Sequence, residues 1–296
     1  MSKKLIILLL LSLSLLALCP RLYAQQDPLI TEVRYNFSEQ FIDPKQNYYI
    51  ALLDLVLKKS EPKYGAYKLT PVPLEMPQGR TIKLVEQNKH IDIVWTMTSI
   101  ERENQLKAIY IPLLKGLMGY RIGIIRKGEQ GKFDEIDTLA SFKKITIGQG
   151  KDWPDVEILR LNGFNVVPGA DQNLLAMLAK NRFDYFPRTL NEPWHELTLR
   201  EDVELEQNLL LHYPAPIYFF VNKQNHLLAE RIEFGLRVAI SDGSFDDHFF
   251  NNPINKNMIT KSNLFNRQEY EIANPLLSPQ SAEILNETSL WLTVIM

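Results

Sequence analysis

The sequence has almost no cysteine and no excess of basic residues. Cys19 is the only cysteine among 296 residues, and it precedes Ala24, after which we expect the chain to be cleaved. The mature chain would then have no cysteine, which excludes disulfide bonds and thiolate metal sites. Acidic residues slightly outnumber basic ones, 35 to 33, and no basic run occurs. The composition therefore argues against nucleic acid as a partner.

Long apolar runs are also absent, apart from one at the start of the chain. Lys3 and Lys4 precede an apolar run over residues 5–18, and Ala24 is a small residue at the expected cleavage point. The run is too short to cross the ~30 Å hydrocarbon core of a bilayer as a helix. We interpret residues 1–24 as a signal peptide and place the mature protein in the periplasm. Lipid attachment at Cys19 is the alternative, although Leu18 and Pro20 fit that pattern poorly.

The chain carries no familiar catalytic or metal-binding motif. No G-x-S-x-G elbow, P-loop or G-x-G-x-x-G string occurs. The five histidines form no H-E-x-x-H string and no i,i+4 pair. We therefore expect no metal, no cofactor and no catalytic residue.

Strand and helix patterns alternate through the first part of the mature chain. A β-α-β-α-β order implies a parallel sheet flanked by helices, so the fold class is α/β. The predicted elements are strands at residues 29–37, 67–74 and 91–95, and helices at residues 48–59 and 79–88.

A second α/β unit follows a boundary near residue 116. Glycines bracket the strand predicted at residues 120–126, and residues 148–150 read as a glycine turn after a strand at 144–147. The chain then returns through residues 209–221 into a long amphipathic helix, residues 226–240, which ends at Gly243. We expect the residues after 251 to form an irregular tail.

One stretch, residues 91–102, combines a buried strand with a polar end. The apolar run stops in hydroxyls at Thr96 and Thr98, and Thr98 with Glu101 predicts a capping box that starts a helix with Arg102 in its first turn. Ligands bind where strands of open α/β sheets lead into helices. An arginine there suits a carboxylate or phosphate. The pattern also fits a capping threonine and a surface arginine.

The order of elements and four strings resemble the bacterial extracellular solute-binding proteins of family 3, which have the type II periplasmic-binding fold. No string is specific alone, but their joint order is, and the resemblance covers nearly the whole mature chain. The strings lie at residues 92–102 (DIVWTMTSIER), 119–128 (GYRIGIIRKG), 183–188 (FDYFPR) and 227–245 (LLAERIEFGLRVAISDGSF).

The resemblance implies two lobes, each a mostly parallel sheet flanked by helices, joined by two crossing strands. Hinge closure would enclose a small polar, carboxylate-bearing solute between them. The implied division is residues 25–116 for the first part of lobe 1 and 117–215 for lobe 2. Residues 216–250 would complete lobe 1, and residues 251–296 would pack on a lobe as a tail. The implied partner is a membrane permease of the ABC type, and the protein would be a monomer.

The resemblance also implies roles for individual residues. Thr96 and Thr98 fall where the family offers backbone and hydroxyl groups to a ligand carboxylate, and Arg102 falls on the arginine that pairs with it. Tyr35 falls at an aromatic wall, and Gln149 in a turn that presents a helix start of lobe 2 to the solute.

The chain departs from the family near residue 188. Many amino-acid binders of the family have an acidic residue there that holds the ligand ammonium group, whereas this chain has Arg188 and Thr189. Glu192 follows shortly and would be the substitute. Arg188 either binds an anion or pairs with Glu192. Trp153 and Trp194 are further candidates for the cleft wall.

Three functions follow from these observations. The first is a non-enzymatic binding protein that delivers an amino-acid-like solute to a transporter. The second is a soluble sensor on the same fold that docks on a membrane receptor or signalling kinase. The third is a lyase or dehydratase that uses Glu192 or His195 as a general base.

Overall fold

The computed structural model describes residues 30–38, 44–256 and 258–292, which fold into two α/β lobes. The strands are β1 (Thr31–Phe37), β2 (Tyr67–Pro73), β3 (Ile93–Met97), β4 (Lys107–Ile109), β5 (Tyr120–Arg126), β6 (Thr146–Gly150), β7 (Asn165–Gly169), β8 (Phe186–Thr189), β9 (Val203–Leu205), β10 (Leu209–His212), β11 (Ile217–Val221) and β12 (Gln268–Glu271).

Helices separate most of these strands. They are α1 (Pro44–Tyr64), α2 (Gln78–Glu86), α3 (Ile100–Gln105), α4 (Gln130–Asp134), α5 (Leu139–Phe142), α6 (Asp155–Leu161), α7 (Leu174–Ala179), α8 (Pro193–Glu196), α9 (His226–Ser241), α10 (Ser244–Asn251), α11 (Met258–Ser262) and α12 (Pro279–Ile284). Short 3-10 turns lie at Leu117–Gly119, Asp171–Asn173, Leu264–Asn266 and Thr288–Leu290.

The sheet order shows how the chain passes between the lobes. The first sheet has the order β2-β1-β3-β11-β4, and the second has β12-β10-β5-β8 with β9 beside β5 and the pair β6-β7 in the same lobe. The chain crosses after β4 and returns between β10 and β11. Each antiparallel pair in these sheets involves β5 or β11, the strand that follows a crossing, whereas the other pairs are parallel. The predicted fold class is confirmed.

The two long helices of the first lobe pack directly on each other. On α9, Gly235 faces α1, where a Cβ atom would lie 2.1 Å from the carbonyl oxygen of Val56. Only glycine allows this approach of the two backbones. Leu52 and Leu53 of α1 and Ile232 of α9 are fully buried in the same core. The two helices thereby form one closely packed layer beside the first sheet.

The glycine turn predicted at residues 148–150 is wrong. These residues continue β6 and pair with β7, with Gly148 opposite Val167 and Gly150 opposite Gly169. The glycines serve packing, because a Cβ atom at Gly148 would lie 2.2 Å from the ring of Phe183. The helix expected from residue 152 begins at Asp155.

The capping box predicted at Thr98 is also wrong. Ser99 is the N-cap of α3, and its hydroxyl accepts the backbone N–H of Arg102 at 3.2 Å. Ser99 has the extended backbone that an N-cap requires, with φ −156° and ψ 160°. The helix therefore starts one residue later than predicted, and Arg102 still lies in its first turn.

The tail is more regular than the sequence predicted. Residues 268–271 form β12, which pairs in parallel with β10 at the edge of the second sheet, and α11 and α12 flank it. The apolar residues Tyr270, Ile272 and Leu290 are buried. The expectation of an irregular tail is therefore wrong for these segments.

Membrane-spanning structure was sought among the same residues. None of their helices combines the length and apolar character that crossing a bilayer requires. The predicted signal peptide, with Cys19 and Ala24, lies outside the described residues.

Candidate functional site

A cavity of about 520 Å³ lies between the lobes, next to Arg102. The first lobe contributes the start of α3, and the second contributes the segment that leads into α6. Leu276 of the tail closes one side. Charged side chains of both signs line the cavity: Glu101, Arg102, Lys151, Asp152, Glu157 and Arg160.

Arg102 is buried at this boundary and bonded to both lobes. Its Nη1 donates to the Met97 carbonyl oxygen at 2.8 Å and to the Thr96 hydroxyl. Its Nη2 donates to Gln78 Oε1 and to the carbonyl oxygen of Asp152, each at 2.8 Å. The residue is only 6% exposed. Burial lowers the pKa of Arg102 to about 10, so the guanidinium remains charged at neutral pH.

A second, smaller cavity of about 170 Å³ lies at the carboxyl end of the first sheet. Gln78 lines it and also accepts a hydrogen bond from Arg102, so the guanidinium and this amide stand between the two cavities. Asn36 and Trp95 contribute to its wall. The Oδ1 atom of Asn36 is buried and has no hydrogen-bond partner in the described part of the chain. A residue of the wall of the smaller cavity therefore carries a buried acceptor without a partner.

Thr96 and Thr98 have different surroundings, although the resemblance gave them one role. The Thr96 hydroxyl bonds to Arg102 and orients it. The Thr98 hydroxyl donates to Glu103 Oε1 at 2.5 Å, and its N–H donates to the Pro216 carbonyl oxygen at 2.9 Å. Thr98 lines neither of the two cavities. Its role as a ligand contact stays a prediction.

Tyr35 belongs to an aromatic group in the core of the first lobe. It is 7% exposed, and its ring centroid lies 6.4 Å from that of Trp95. Trp95 also stacks on Tyr49 at 5.5 Å. Of these rings, Trp95 reaches the smaller cavity. Tyr35 therefore stands behind this wall, and its predicted contact with solute remains a prediction.

Gln149 has a side chain that is fully buried and lacks partners. Both Nε2 and Oε1 of its amide are without a hydrogen-bond partner among the residues that the structure describes. Leaving such a group unpaired costs free energy, typically about 1–3 kcal/mol. The end of β6 therefore carries an unpaired donor and acceptor close to the segment that contacts Arg102.

Arg188 and Glu192 form a buried charge cluster with Lys45 and Glu196. Arg188 Nη2 lies 2.7 Å from Glu196 Oε1 and 3.4 Å from Glu192 Oε1, and Lys45 of α1 is ion-paired with Glu192. The Arg188 guanidinium also lies over the Trp153 ring at 5.2 Å. Arg188 is ion-paired with Glu192 and, more closely, with Glu196, and the predicted roles of Arg188 and Glu192 as ligand contacts stay predictions. The Lys45 contact joins the first lobe to the second.

The pKa values of the two carboxyl groups in this cluster are shifted in opposite directions. Burial alone would raise the pKa of Glu192, but the positive charges of Arg188 and Lys45 lower it below its usual range. Burial raises the pKa of Glu196, which has Arg188 as its nearby cation. Glu192 is therefore stabilised in its charged form, whereas the charged form of Glu196 is disfavoured, although the two carboxyl groups share one guanidinium.

Sequence reasoning missed a second buried ion pair. Arg121 Nη2 donates to Asp155 Oδ1 at 2.7 Å, and the Tyr213 hydroxyl donates to the same carboxylate. The available signal was Arg121 itself, a charged residue inside the apolar strand β5. Lys45, Gln78 and Asp152 carried no comparable signal, because their roles depend on contacts between distant segments.

The described residues contain no group of three or more histidine, cysteine, aspartate or glutamate side chains arranged to hold a metal ion. Trp194, a candidate for the cleft wall, donates its indole N–H to the Leu190 carbonyl oxygen at 2.8 Å and packs on the core. Trp153, the other candidate, lines the larger cavity.

Comparison with solved structures identifies the fold. An ancestral arginine-binding protein bound to arginine matches with a TM-score of 0.56 and 19% identity, over 74% of this chain and 96% of that one. An arginine-specific periplasmic binding protein of Salmonella typhimurium matches with a TM-score of 0.55 and 15% identity, over 74% and 97%. The GluR0 ligand-binding core of Nostoc punctiforme, in complex with L-glutamate, gives 0.53 and 12%, over 76% and 99%.

No protein-family model matches the chain, and no curated protein matches its sequence. The matched structures are amino-acid-binding proteins, and their coverage shows that this chain contains nearly all of their fold. The chain therefore has the type II periplasmic-binding fold that the resemblance predicted. At identities of 12–19%, this likeness shows the fold alone.

Proposed function

We propose that this protein is a periplasmic solute-binding protein that captures a small polar, carboxylate-bearing solute and presents it to an ABC-type membrane permease. The observation that carries the proposal is Arg102, a buried, charged guanidinium that lines the cavity between the lobes and contacts both of them. The amino-acid-binding proteins of the same fold support this choice of solute class.

Arg102 would bind the solute by giving up hydrogen bonds to neutral acceptors for hydrogen bonds to a carboxylate. Its Nη2 now donates to two neutral acceptors, the Asp152 carbonyl oxygen and the Gln78 amide. A carboxylate in their place would make charge-assisted hydrogen bonds, which are roughly twice as strong as neutral ones. The gain is larger in a site that excludes water, since charges are less screened there.

The proposed lobes would move about the two crossing segments. These segments are bonded to each other, because Leu113 N–H donates to the Ile217 carbonyl oxygen at 2.9 Å and Tyr213 N–H donates to the Gly119 carbonyl oxygen at 3.2 Å. A paired hinge of this kind allows rotation of one lobe relative to the other while it limits sliding. The division into lobes at residues 116 and 216 is part of this proposal.

The same geometry argues against Glu192 or His195 as a general base. Glu192 is fully enclosed, and Arg188 and Lys45 hold its pKa below the usual range, so it is a weak proton acceptor. His195 lies on the exposed side of α8. We propose that the protein binds its solute without chemical conversion, as a monomer.

A sensor on the same fold is the second candidate. The observation that favours it is the match to the GluR0 ligand-binding core. Sensor and transport protein would use the same cleft, so the distinction lies in the membrane partner. Copurification from detergent-solubilised membranes would identify either a permease or a receptor as that partner.

A thermal-shift screen of the mature protein tests the proposed solute class. Each amino acid or organic acid is paired with its own amide, which keeps the shape and removes the negative charge. A solute present at 100 times its Kd should stabilise the protein by ~2.7 kcal/mol. Shifts from carboxylates and none from their amides are expected. Equal shifts from acids and amides, or shifts from neutral sugars alone, would refute a carboxylate site.

A further inference from the structure

We propose that residues 268–292, here called the C-terminal strap, fasten the two lobes to each other and limit how far the cleft opens. The strap contacts the second sheet, both crossing segments and helix α3 of the first lobe. This inference rests on the proposed function only in that α3 carries Arg102, and its test needs no solute.

The strap begins as part of the second lobe. β12 pairs with β10 over four residues, and the Ile272 N–H extends this pairing to the His212 carbonyl oxygen at 2.9 Å. The Tyr270 hydroxyl donates to the Ile136 carbonyl oxygen at 3.1 Å, and its ring packs on Phe142 at 5.5 Å. When the second lobe moves, β12 must therefore move with it.

The middle of the strap binds the first lobe. The Leu276 carbonyl oxygen accepts the N–H of Ile100 at 2.9 Å, and this is an N–H of the first turn of α3. The Ser281 hydroxyl donates to Glu103 Oε1 at 2.7 Å. The same carboxylate accepts the hydroxyls of Thr98 and Tyr110, so Glu103 joins the strap to two other segments of the first lobe.

The strap also contacts both crossing segments. Asn274 Nδ2 donates to the Pro214 carbonyl oxygen at 2.7 Å on the returning segment. On the outgoing segment, Leu292 N–H donates to the Lys115 carbonyl oxygen at 2.7 Å. The Trp291 ring occupies the space beside Gly116, where a Cβ atom would lie 2.4 Å from it. The strap therefore lies across the two crossing segments, which must bend when the cleft between the lobes opens.

The connection between the two anchors is short. Ile272 is bonded to the second lobe and Leu276 to the first, so the two anchors are four residues apart along the chain. Even fully extended, four residues span at most about 14 Å. Opening beyond that distance requires breaking the Leu276 bond to α3 or pulling β12 from the sheet. Because Leu276 also lines the cavity, the strap and a solute would act on the same helix.

The matched ancestral arginine-binding protein is shorter than this chain. The ancestral arginine-binding protein is covered over 96% of its length, yet it accounts for 74% of this chain. About a quarter of this chain therefore has no counterpart in that protein, and we expect the strap to change the hinge motion that the fold permits.

Distance measurement by pulsed electron spin resonance on the mature, cysteine-free chain tests the strap. Spin labels are attached at Leu227→Cys in the first lobe and Leu199→Cys in the second, at positions 65% and 60% exposed. The unliganded protein is compared with a triple variant, Ile100→Pro, Ser281→Ala and Trp291→Ala, which removes the backbone bond from Ile100 to Leu276 and two side-chain links. Ile100 is the first residue of α3, where proline is tolerated and removes the N–H donor. Glu283→Ala, Glu287→Ala and Ser289→Ala change exposed side chains of the strap and serve as the matched control.

The proposal predicts one narrow distance distribution for the labelled parent and the control, and a second population in the triple variant. A triple variant that keeps the parent distribution would overturn it. If the triple variant does not fold, hydrogen exchange on the unaltered chain gives the answer, since the amides of Ile100 and Leu292 both form bonds of the strap. We expect the amides of Ile100 and Leu292 to lose their protection from exchange in one common opening event. Exchange of the two amides in independent events would contradict the proposal.

Discussion

Glu192 and Glu196 bind the same guanidinium, but we expect their replacement by glutamine to affect stability very differently. Both contact Arg188, yet Glu192 also pairs with Lys45 and accepts the backbone N–H of Thr189 at 2.8 Å. Its side chain is 3% exposed, against 18% for Glu196. The pKa of Glu192 is lowered by the two cations despite burial, whereas burial raises the pKa of Glu196.

Glu192→Gln should lower the free energy of unfolding by about 3 kcal/mol at pH 7, the lower end of the range for removing one partner of a buried ion pair. The lower end applies because glutamine still accepts the Thr189 N–H, while Lys45 and Arg188 lose a negative charge. Glu196→Gln should cost under about 1 kcal/mol, since burial disfavours the charged form of Glu196 and raises its pKa, so less of the stability depends on that charge.

Urea unfolding of the two variants measures the difference, provided the dependence on urea concentration is unchanged. The folded pKa of Glu192 lies below its ordinary value of 4.5, so the stability from its charge is present above that pH and is lost on acidification. The gap between the unaltered chain and Glu192→Gln should therefore narrow below about pH 4.5. Equal losses for both variants at pH 7, or a larger loss for Glu196→Gln, would refute this assignment of charge.

Two further predictions concern packing and pH. Gly148→Ala should destabilise the fold by about 2 kcal/mol, because its Cβ would lie 2.2 Å from the Phe183 ring, whereas Gly79→Ala, with its nearest neighbour at 3.8 Å, should not destabilise it. Urea unfolding compares the pair, and equal effects would contradict the packing at β6. Burial lowers the pKa of His248, so its contribution to stability is present above the ordinary value of 6.5 and is lost as pH falls through the folded pKa. His248→Gln should therefore flatten the profile of stability against pH below pH 6.5. An unchanged profile in this variant would show that His248 does not contribute to the pH dependence.

The sequence predicted best where local pattern and tertiary packing agree. β5 was predicted with its observed bounds, since an apolar strand between glycines has few alternatives. The first helix has 21 residues instead of the 12 expected at 48–59. Its apolar stripe is weak, and tertiary contacts such as the bond from Arg231 of α9 to Ser60 Oγ at 2.9 Å stabilise the helix beyond the predicted end. Tertiary contacts therefore extend this helix beyond the segment that the local apolar pattern predicts.

The errors have a common physical cause. Gly148 suggested a turn, yet it is there because the Phe183 ring needs the space, and this ring lies 35 residues along the chain. Thr98 and Ser99 both suit an N-cap, and the tertiary bonds of Thr98 to Glu103 and Pro216 leave the cap to Ser99. The tail lacked a periodic pattern because β12 lies at a sheet edge and exposes most of its side chains.

The candidate site was only partly predictable. Arg102 was identified from a strand followed by a helix start, and it lines the cavity. Its bond to Asp152 and the pairing of Lys45 with Glu192 join segments 50 and 147 residues apart. A single sequence gives no indication of such contacts. They are nevertheless the contacts that bring the two lobes together.

The central claim is that Arg102 binds the negative end of a solute. Arg231 provides a matched control, since it is also a buried arginine of the first lobe, 1% exposed, and donates to Ser60 Oγ at 2.9 Å and to the Gly65 carbonyl oxygen at 2.6 Å. We expect both Arg102→Ala and Arg231→Ala to lower stability, because each leaves buried acceptors without a donor.

Calorimetric titration of a carboxylate found in the thermal-shift screen, at a temperature where both variants are folded, separates binding from stability. Two charge-assisted bonds are worth ~3 kcal/mol, so Arg102→Ala should weaken binding about 100-fold, and Arg231→Ala should leave the Kd unchanged. If Arg102→Ala binds the solute as tightly as Arg231→Ala does, the guanidinium is a structural group and the account is contradicted.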